Sequence, residues 1–109
     1  GDGTDIKEFL YIQDFIDGIL LAMEKLSWFD PINIAVGKPT AIRDVLNTII
    51  QEDNYYDAKL IFNTSKPTMI PIRMMDISKA KAQLEFEAKT SLEEGIRKTI
   101  LWYRQNLCG

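Results

Sequence analysis

The residues best placed to do chemistry in this 109-residue chain lie in one stretch, Phe62–Ser78, FNTSKPTMIPIRMMDIS. Lys66 and Arg73 stand there on backbone restrained by Pro67 and Pro71, since proline holds φ at about −65°. Ile70, Met74, Met75 and Ile77 supply apolar neighbours, and Asp76-Ile77-Ser78 reads as the opening of a helix. A stiff basic connector of this kind suits gripping an anion from one side. The plainer alternative is that Lys66 and Arg73 face water, with Arg73 neutralising Asp76. Acid/base and nucleophilic chemistry have few candidates. The sequence has no His and a single Cys, Cys108. Imidazole catalysis, a Cys–His nucleophile and His-ligated metals are therefore excluded.

Bulk composition narrows the class. Hydrophobic residues make up 46% and charged ones 27%, as in an ordinary globular domain. Thirteen basic against sixteen acidic residues give a net charge of −3, so no basic stripe argues for nucleic acid or an anionic membrane. No apolar run approaches the roughly 20 residues of a spanning helix, and nothing reads as a signal peptide. The lone Cys108 cannot form an internal disulfide and fits a reducing, cytoplasmic setting. The length allows one domain, 1–109, large enough to bury a core.

The elements that must position the connector can be read from periodicity. Phe9–Ile12 reads as a short strand, followed by a helix with Asp14 as N-cap. Phe15, Ile16, Ile19, Leu20, Met23 and Leu26 recur at helical spacing as its apolar face. Gly18 within it implies close approach of another backbone, and Asp30-Pro31 ends the element. Ile32–Val36 reads as a strand covered on both faces, with Asn33 satisfying a neighbouring backbone group. After a turn at Gly37-Lys38-Pro39, Ile42, Val45, Leu46, Ile49 and Ile50 mark an amphipathic helix. A polar loop over Gln51–Asp57, with Tyr55 and Tyr56 half-buried across it, leads to a strand at Lys59–Phe62. Beyond the connector come a short helix, Ser78–Leu84, and a long one opened by the Ser91/Glu94 capping box. The long helix has Glu93–Arg97 and Glu94–Lys98 as i,i+4 pairs, and Leu92, Ile96, Ile100, Tyr103 and Leu107 as its buried stripe. Met74 and Met75 read as core. The order describes a small α/β domain without a Gly-rich turn after a strand, hence not itself a dinucleotide site.

Three segments, in order and at consistent spacing, resemble one family. GDGTDIKEFLYIQD is similar to a G-x-G-x-x-x-R-E/D-F-x-Y/H-V-x-D stretch, and NIAVGKPTAIRDVLNTII to N-x-G-x-G-x-x-x-S/T-I-R-E-L. The remainder, from FNTSKPTMIPIRMMDISK through SLEEGI to WYRQN, is similar to that family's ending. The family is that of the extended short-chain dehydrogenase/reductases acting on nucleotide sugars, the NAD-dependent epimerases and dehydratases. The KP…P…D-x-S form looks most like its GDP-L-fucose synthase branch.

The resemblance implies the carboxy-terminal substrate-binding domain of a longer Rossmann-type protein, without the dinucleotide-binding half. NAD(P) would belong to the intact parent and none to this fragment. The Gly-rich turn and the Ser/Tyr-x-x-x-Lys set are expected upstream, with nothing in this chain matching them. By position, the resemblance makes Lys7, Thr68 and Arg73 substrate-binding residues. Lys7 stands where the family has an Arg contacting the diphosphate, Thr68 where it has an Asp, and Arg73 at a basic position near the phosphates. The neighbouring family Arg and Gly are Ile72 and Met69 here. No catalytic, cofactor-binding or metal-ligating residue is expected. The implied partners are a nucleotide-diphosphate sugar, the missing amino-terminal Rossmann domain and further copies in a homo-oligomer, with neither nucleic acid nor membrane. The alternative reading is a non-catalytic protein-interaction module that keeps this fold.

Overall fold

A computed structural model describes residues 1–68 and 70–107. Met69, Cys108 and Gly109 lie outside the described residues, and with them the readings made for Met69 and Cys108. The elements run β1 (Ile6–Lys7), α1 (Ile12–Lys25), β2 (Thr40–Ala41), α2 (Ile42–Glu52), α3 (Ser78–Leu84) and α4 (Leu92–Asn106). β1 and β2 pair antiparallel, Ile6 opposite Ala41 and Lys7 opposite Thr40. A parallel bridge joins Ile6 to Ile72 of the connector. Helix α2 packs on α4, and α1 on α3. The small α/β class is as expected.

Three helices follow the sequence signals closely. α2 spans the apolar period from Ile42, and α3 covers Ser78–Leu84 as expected. Ser91 caps α4, its hydroxyl accepting the Glu94 N–H at 3.1 Å. Only half of the capping box forms, because the Glu94 carboxylate turns to Lys98, 2.9 Å away. The expected Glu93–Arg97 pair is replaced by a link between helices, with Arg97 lying 3.6 Å from Glu52 of α2. Arg104 pairs with Asp53 at the same junction.

The strands depart most from expectation. Phe9–Tyr11 are irregular and Ile12 already belongs to α1. Ile32–Val36 and Lys59–Phe62 form no ladder among the described residues. A strand exists only where a neighbour takes its N–H and C=O groups, and here Thr40–Ala41 and Ile72 reach only Ile6 and Lys7.

Helix α1 is also organised differently. Tyr11 is its N-cap and makes no side-chain cap bond. Asp14 sits inside the first turn, 3% exposed, where its Oδ2 accepts the Thr90 N–H at 3.0 Å. That bond ties the start of α1 to the segment ahead of α4 and satisfies a buried carboxylate. At the other end Lys25 donates to the Leu84 carbonyl at 3.2 Å. The helix ends there, at Lys25, five residues before Asp30. Asp30 instead pairs with Lys79 of α3.

The core is small. Ala80, Leu84 and Phe86 are buried and pack against Leu21, Ala22, Leu26, Ile32 and Ile34. Glu85 takes φ +54°, a region non-glycine residues rarely adopt. This reversal lets the Phe86 N–H reach the Ala80 carbonyl at 3.2 Å and delivers the ring to the core. Gly18 faces the same cluster, approached by the Ile34 side chain rather than by backbone.

The face that α1 presents to this core is Asp14, Gly18, Leu21, Ala22 and Lys25, which also recur at helical spacing. The expected core face, from Phe15 to Met23, points away with Ile12, and Met23 is 74% exposed. Only Leu26 of that set joins the core. Tyr55, Tyr56, Met74, Met75, Tyr103 and Leu107 are likewise exposed rather than buried. The chain is correspondingly open. Its radius of gyration is 16.5 Å, with extents of 50 × 36 × 19 Å, where a compact domain of this length has about 13 Å. No helix among the described residues is long and apolar enough to cross a membrane.

Two predictions test this packing. A Cβ at Gly18 would lie 2.6 Å from Ile34 Cγ2, which is branched next to the backbone and cannot swing aside. Overpacking of about 1–3 kcal/mol then exceeds the roughly 1 kcal/mol that Ala gains in a helix. Gly18→Ala should lower the urea midpoint, and a raised midpoint would contradict the packing. The outward apolar stripe of α1 should drive self-association of the isolated chain. Sedimentation at about 100 µM is expected to show oligomers, since apolar patches of this extent seldom stay exposed. A clean monomer would refute it.

Candidate functional site

Ile6 of β1 and its partners in the connector, Pro71 and Arg73, are more than sixty residues apart in sequence, and backbone bonds join them. The Ile6 N–H donates to the Pro71 carbonyl at 2.7 Å, and the Arg73 N–H donates to the Ile6 carbonyl at 2.9 Å. Lys7 and Arg73 each follow a residue of the parallel Ile6–Ile72 bridge, so the pleat sets them side by side. Lys7 Nζ donates to the Ile70 carbonyl, bringing its charge over the connector. Arg73 is exposed. The five ion pairs among the described residues all lie elsewhere. In particular, Arg73 does not pair with Asp76.

Asp76 is engaged locally. Its Oδ1 accepts the Ser78 N–H at 2.8 Å at the start of α3. The Ser78 hydroxyl and N–H hold this carboxyl below the ordinary aspartate value of 3.8. Asn33 Nδ2 donates to the Asp76 carbonyl at 3.4 Å, the backbone role expected of it.

Thr68 lines a depression whose walls include neither Lys7 nor Arg73. With Lys66, Thr64, Pro67 and Pro71 it lines a shallow depression of about 370 Å³ whose other walls include Asp2 and Asp5. Asp2 accepts from the Thr4 hydroxyl at 2.6 Å and the Thr4 N–H at 3.0 Å, which lowers its pKa and keeps it ionised. Two acids beside Lys66 make this depression a poor place for a phosphate; the face carrying Lys7 and Arg73 is the better one. A second cavity, an apolar groove of about 450 Å³, runs between the start of α1, α2 and α4. Its walls, among them Tyr11, Val45, Leu92 and Ile96, include no charged residue. It suits apolar surface and not a diphosphate.

Sequence reading missed Glu8. Its Oε1 accepts the Met75 N–H at 2.8 Å and its Oε2 the Gly37 N–H at 3.0 Å, joining three segments. The available signal was an acid set between Lys7 and the apolar run that starts at Phe9. Nor is the chain free of the Tyr-x-x-x-Lys pattern, since Tyr55 and Lys59 spell it. They sit in an exposed turn after α2 (the Ala58 N–H donates to the Tyr55 carbonyl at 3.2 Å), so no helix places them on one face. Gly3 leads into β1 rather than a helix, and a Cβ there would lie 2.4 Å from the Phe62 ring. Its lack of side chain serves packing.

No family model matches the chain. Individual proteins do. A putative GDP-L-fucose synthase of Arabidopsis thaliana is 33% identical over 107 residues, 98% of this chain and 32% of its own length. A UDP-glucuronate 4-epimerase of Thermodesulfobacterium geofontis is 32% identical over 108 residues, 98% of this chain and 33% of its own. Among solved structures, the UDP-glucose 4-epimerase of Thermotoga maritima with UDP-glucose superposes with a TM-score of 0.84 at 30% identity, covering 98% of this chain and 34% of that one. The UDP-glucuronic acid 4-epimerase of Bacillus cereus in complex with NAD gives 0.79 at 26% identity, covering 100% and 33%. This chain thus spans about a third of the length of the curated relatives it matches. By sequence and by fold it is a homologue of the NAD-dependent epimerases and dehydratases among the extended short-chain dehydrogenase/reductases, and corresponds to a carboxy-terminal part of those Rossmann-type proteins.

Proposed function

We propose that residues 1–109 are the substrate-binding domain of an NAD(P)-dependent nucleotide-sugar epimerase or reductase of GDP-L-fucose synthase type. One observation carries this reading: Lys7 and Arg73, distant in sequence, stand side by side at a backbone bridge with no carboxylate among the described residues paired to either. Two adjacent cations on fixed backbone match a diphosphate, and each charge-assisted contact adds about 1.5–3 kcal/mol. Thr68, on the neighbouring depression, offers a hydroxyl to the same ligand. The contribution of this part is orientation, holding the sugar in a reactive pose. Hydride transfer and acid/base steps belong to the amino-terminal Rossmann domain of the parent, which also holds NAD(P); this part binds none. The parent works in the cytoplasm as a homo-oligomer. The outward stripe of α1 and the apolar groove beside α4 are surfaces for that larger protein.

A two-dimensional NMR screen at low salt against GDP-, UDP-, dTDP- and CDP-sugars tests the proposal. Shifts centred on Lys7, Thr68 and Arg73 with one nucleotide are expected. Lys7→Ala and Arg73→Ala should each weaken binding by about tenfold or more, as loss of one charge-assisted bond implies. No shift with any of the four, even after the matching upstream domain is added, would overturn the reading.

A titration tests whether Arg73 is free for a ligand. Asp76 has a lowered folded pKa, so the stability it contributes is present above the ordinary aspartate value and is lost as pH falls through the folded one. Its carboxyl carbon should titrate below 3.8. Ser78→Ala should raise the midpoint, whereas Arg73→Ala should leave it in place. A rise with Arg73→Ala would reveal an Arg73–Asp76 pair in solution.

A further inference from the structure

We infer that Glu8 is the positioning residue of this anion-binding face, the side chain that holds Arg73 beside Lys7; this rests on the reading of those two cations as ligand contacts. The Glu8 carboxylate is divided between two segments far apart in sequence, one oxygen on the Gly37 N–H at 3.0 Å and the other on the Met75 N–H at 2.8 Å. Arg73 therefore lies between two fixed points. Its own N–H is held by the Ile6 carbonyl, and two residues later the Met75 N–H is held by Glu8.

The anchor behind Glu8 is itself wedged. Gly37 takes φ +70°, and a Cβ there would meet Ile77 Cδ1 at 2.4 Å, so the turn is packed against the end of the connector. Glu8 thus closes a loop of contacts from β1 through Gly37 and Ile77 back to Met75.

An acid next to two bases should weaken a site for an anion. Here the geometry separates the charges. Lys7 reaches the Ile70 carbonyl while Glu8 reaches Gly37 and Met75, and Glu8 pairs with no Lys or Arg among the described residues. Its negative charge faces backbone N–H groups. Two N–H donors converging on one side chain call for two acceptor oxygens, which a carboxylate has. A carboxamide of the same shape would turn an NH₂ donor toward one of them.

Glu8→Gln tests the inference on the full chain, with Glu8→Asp as a second variant that keeps the charge but falls one methylene short. Amide exchange and titration with UDP and with GDP are both read by two-dimensional NMR. In either variant at least one of the Gly37 and Met75 amides should exchange about tenfold faster, the ratio that a charge-assisted hydrogen bond implies. Amides of α2 and α4 should keep wild-type rates. The dissociation constant for whichever diphosphate binds should rise about tenfold although Lys7 and Arg73 are untouched, since misplaced backbone costs their contacts. Unchanged exchange at both amides would overturn the clamp, and faster exchange throughout α2 and α4 would make Glu8 a residue of general stability instead. Faster exchange confined to Gly37 and Met75 with unchanged affinity would overturn the positioning role. A wild-type chain perturbed by neither diphosphate, nor by any of the GDP-, UDP-, dTDP- and CDP-sugars with the matching upstream domain added, would overturn the ligand reading and the positioning role with it, while the exchange rates still report the clamp, so the two failures are distinguishable.

Discussion

Everything proposed for this chain depends on the pairing of one residue, Ile6. Its N–H and C=O are both taken by the connector, and on the other side it stands opposite Ala41 in the antiparallel pair. Three segments separated by about thirty residues each are thereby set in register by backbone alone. Hydrogen bonds of this kind are individually worth about 1 kcal/mol. Their directionality matters more here, because the parallel register decides which side chains stand together. Lys7 and Arg73 become neighbours only through it.

The charges around that bridge are sorted by what they touch. Asp76 is occupied by Ser78 and Asp2 by Thr4, and both carboxyls are held low by those bonds. Glu8 faces two backbone N–H groups. These three acids spend their hydrogen bonds on Ser78, Thr4 and backbone, and none of them forms an ion pair with Lys7 or Arg73 among the described residues.

The apolar surfaces tell a complementary story. A core built on Ala80, Leu84 and Phe86 is small for a chain with 46% hydrophobic residues. Helix α1 carries two faces at helical spacing and gives the more polar one to the core, because Asp14 and Lys25 bond Thr90 and Leu84 from that side. The stripe from Ile12 to Met23 is left outward, and the apolar groove beside α4 is open. Surfaces of this composition belong against protein. The relatives that this chain matches are about three times as long.

Local chemistry was legible in the amino-acid sequence. The period of α2, the bounds of α3 and the Ser91 cap of α4 follow from interactions within a few residues, which the order of side chains encodes directly. The resemblance carried by three spaced motifs likewise singled out Lys7, Thr68 and Arg73 as candidates, and the relatives found are of the kind it named. Tertiary structure alone decided the rest. Periodicity marks both faces of α1 but not which one a neighbour covers, and an apolar run such as Ile32–Val36 becomes a strand only when another segment supplies its hydrogen-bond partners. The buried role of Asp14 and the junction at Glu8 depend on Thr90, Gly37 and Met75, each dozens of residues away. A side chain's type fixes what it can bond. Which partner it finds is set by how distant backbone is brought together.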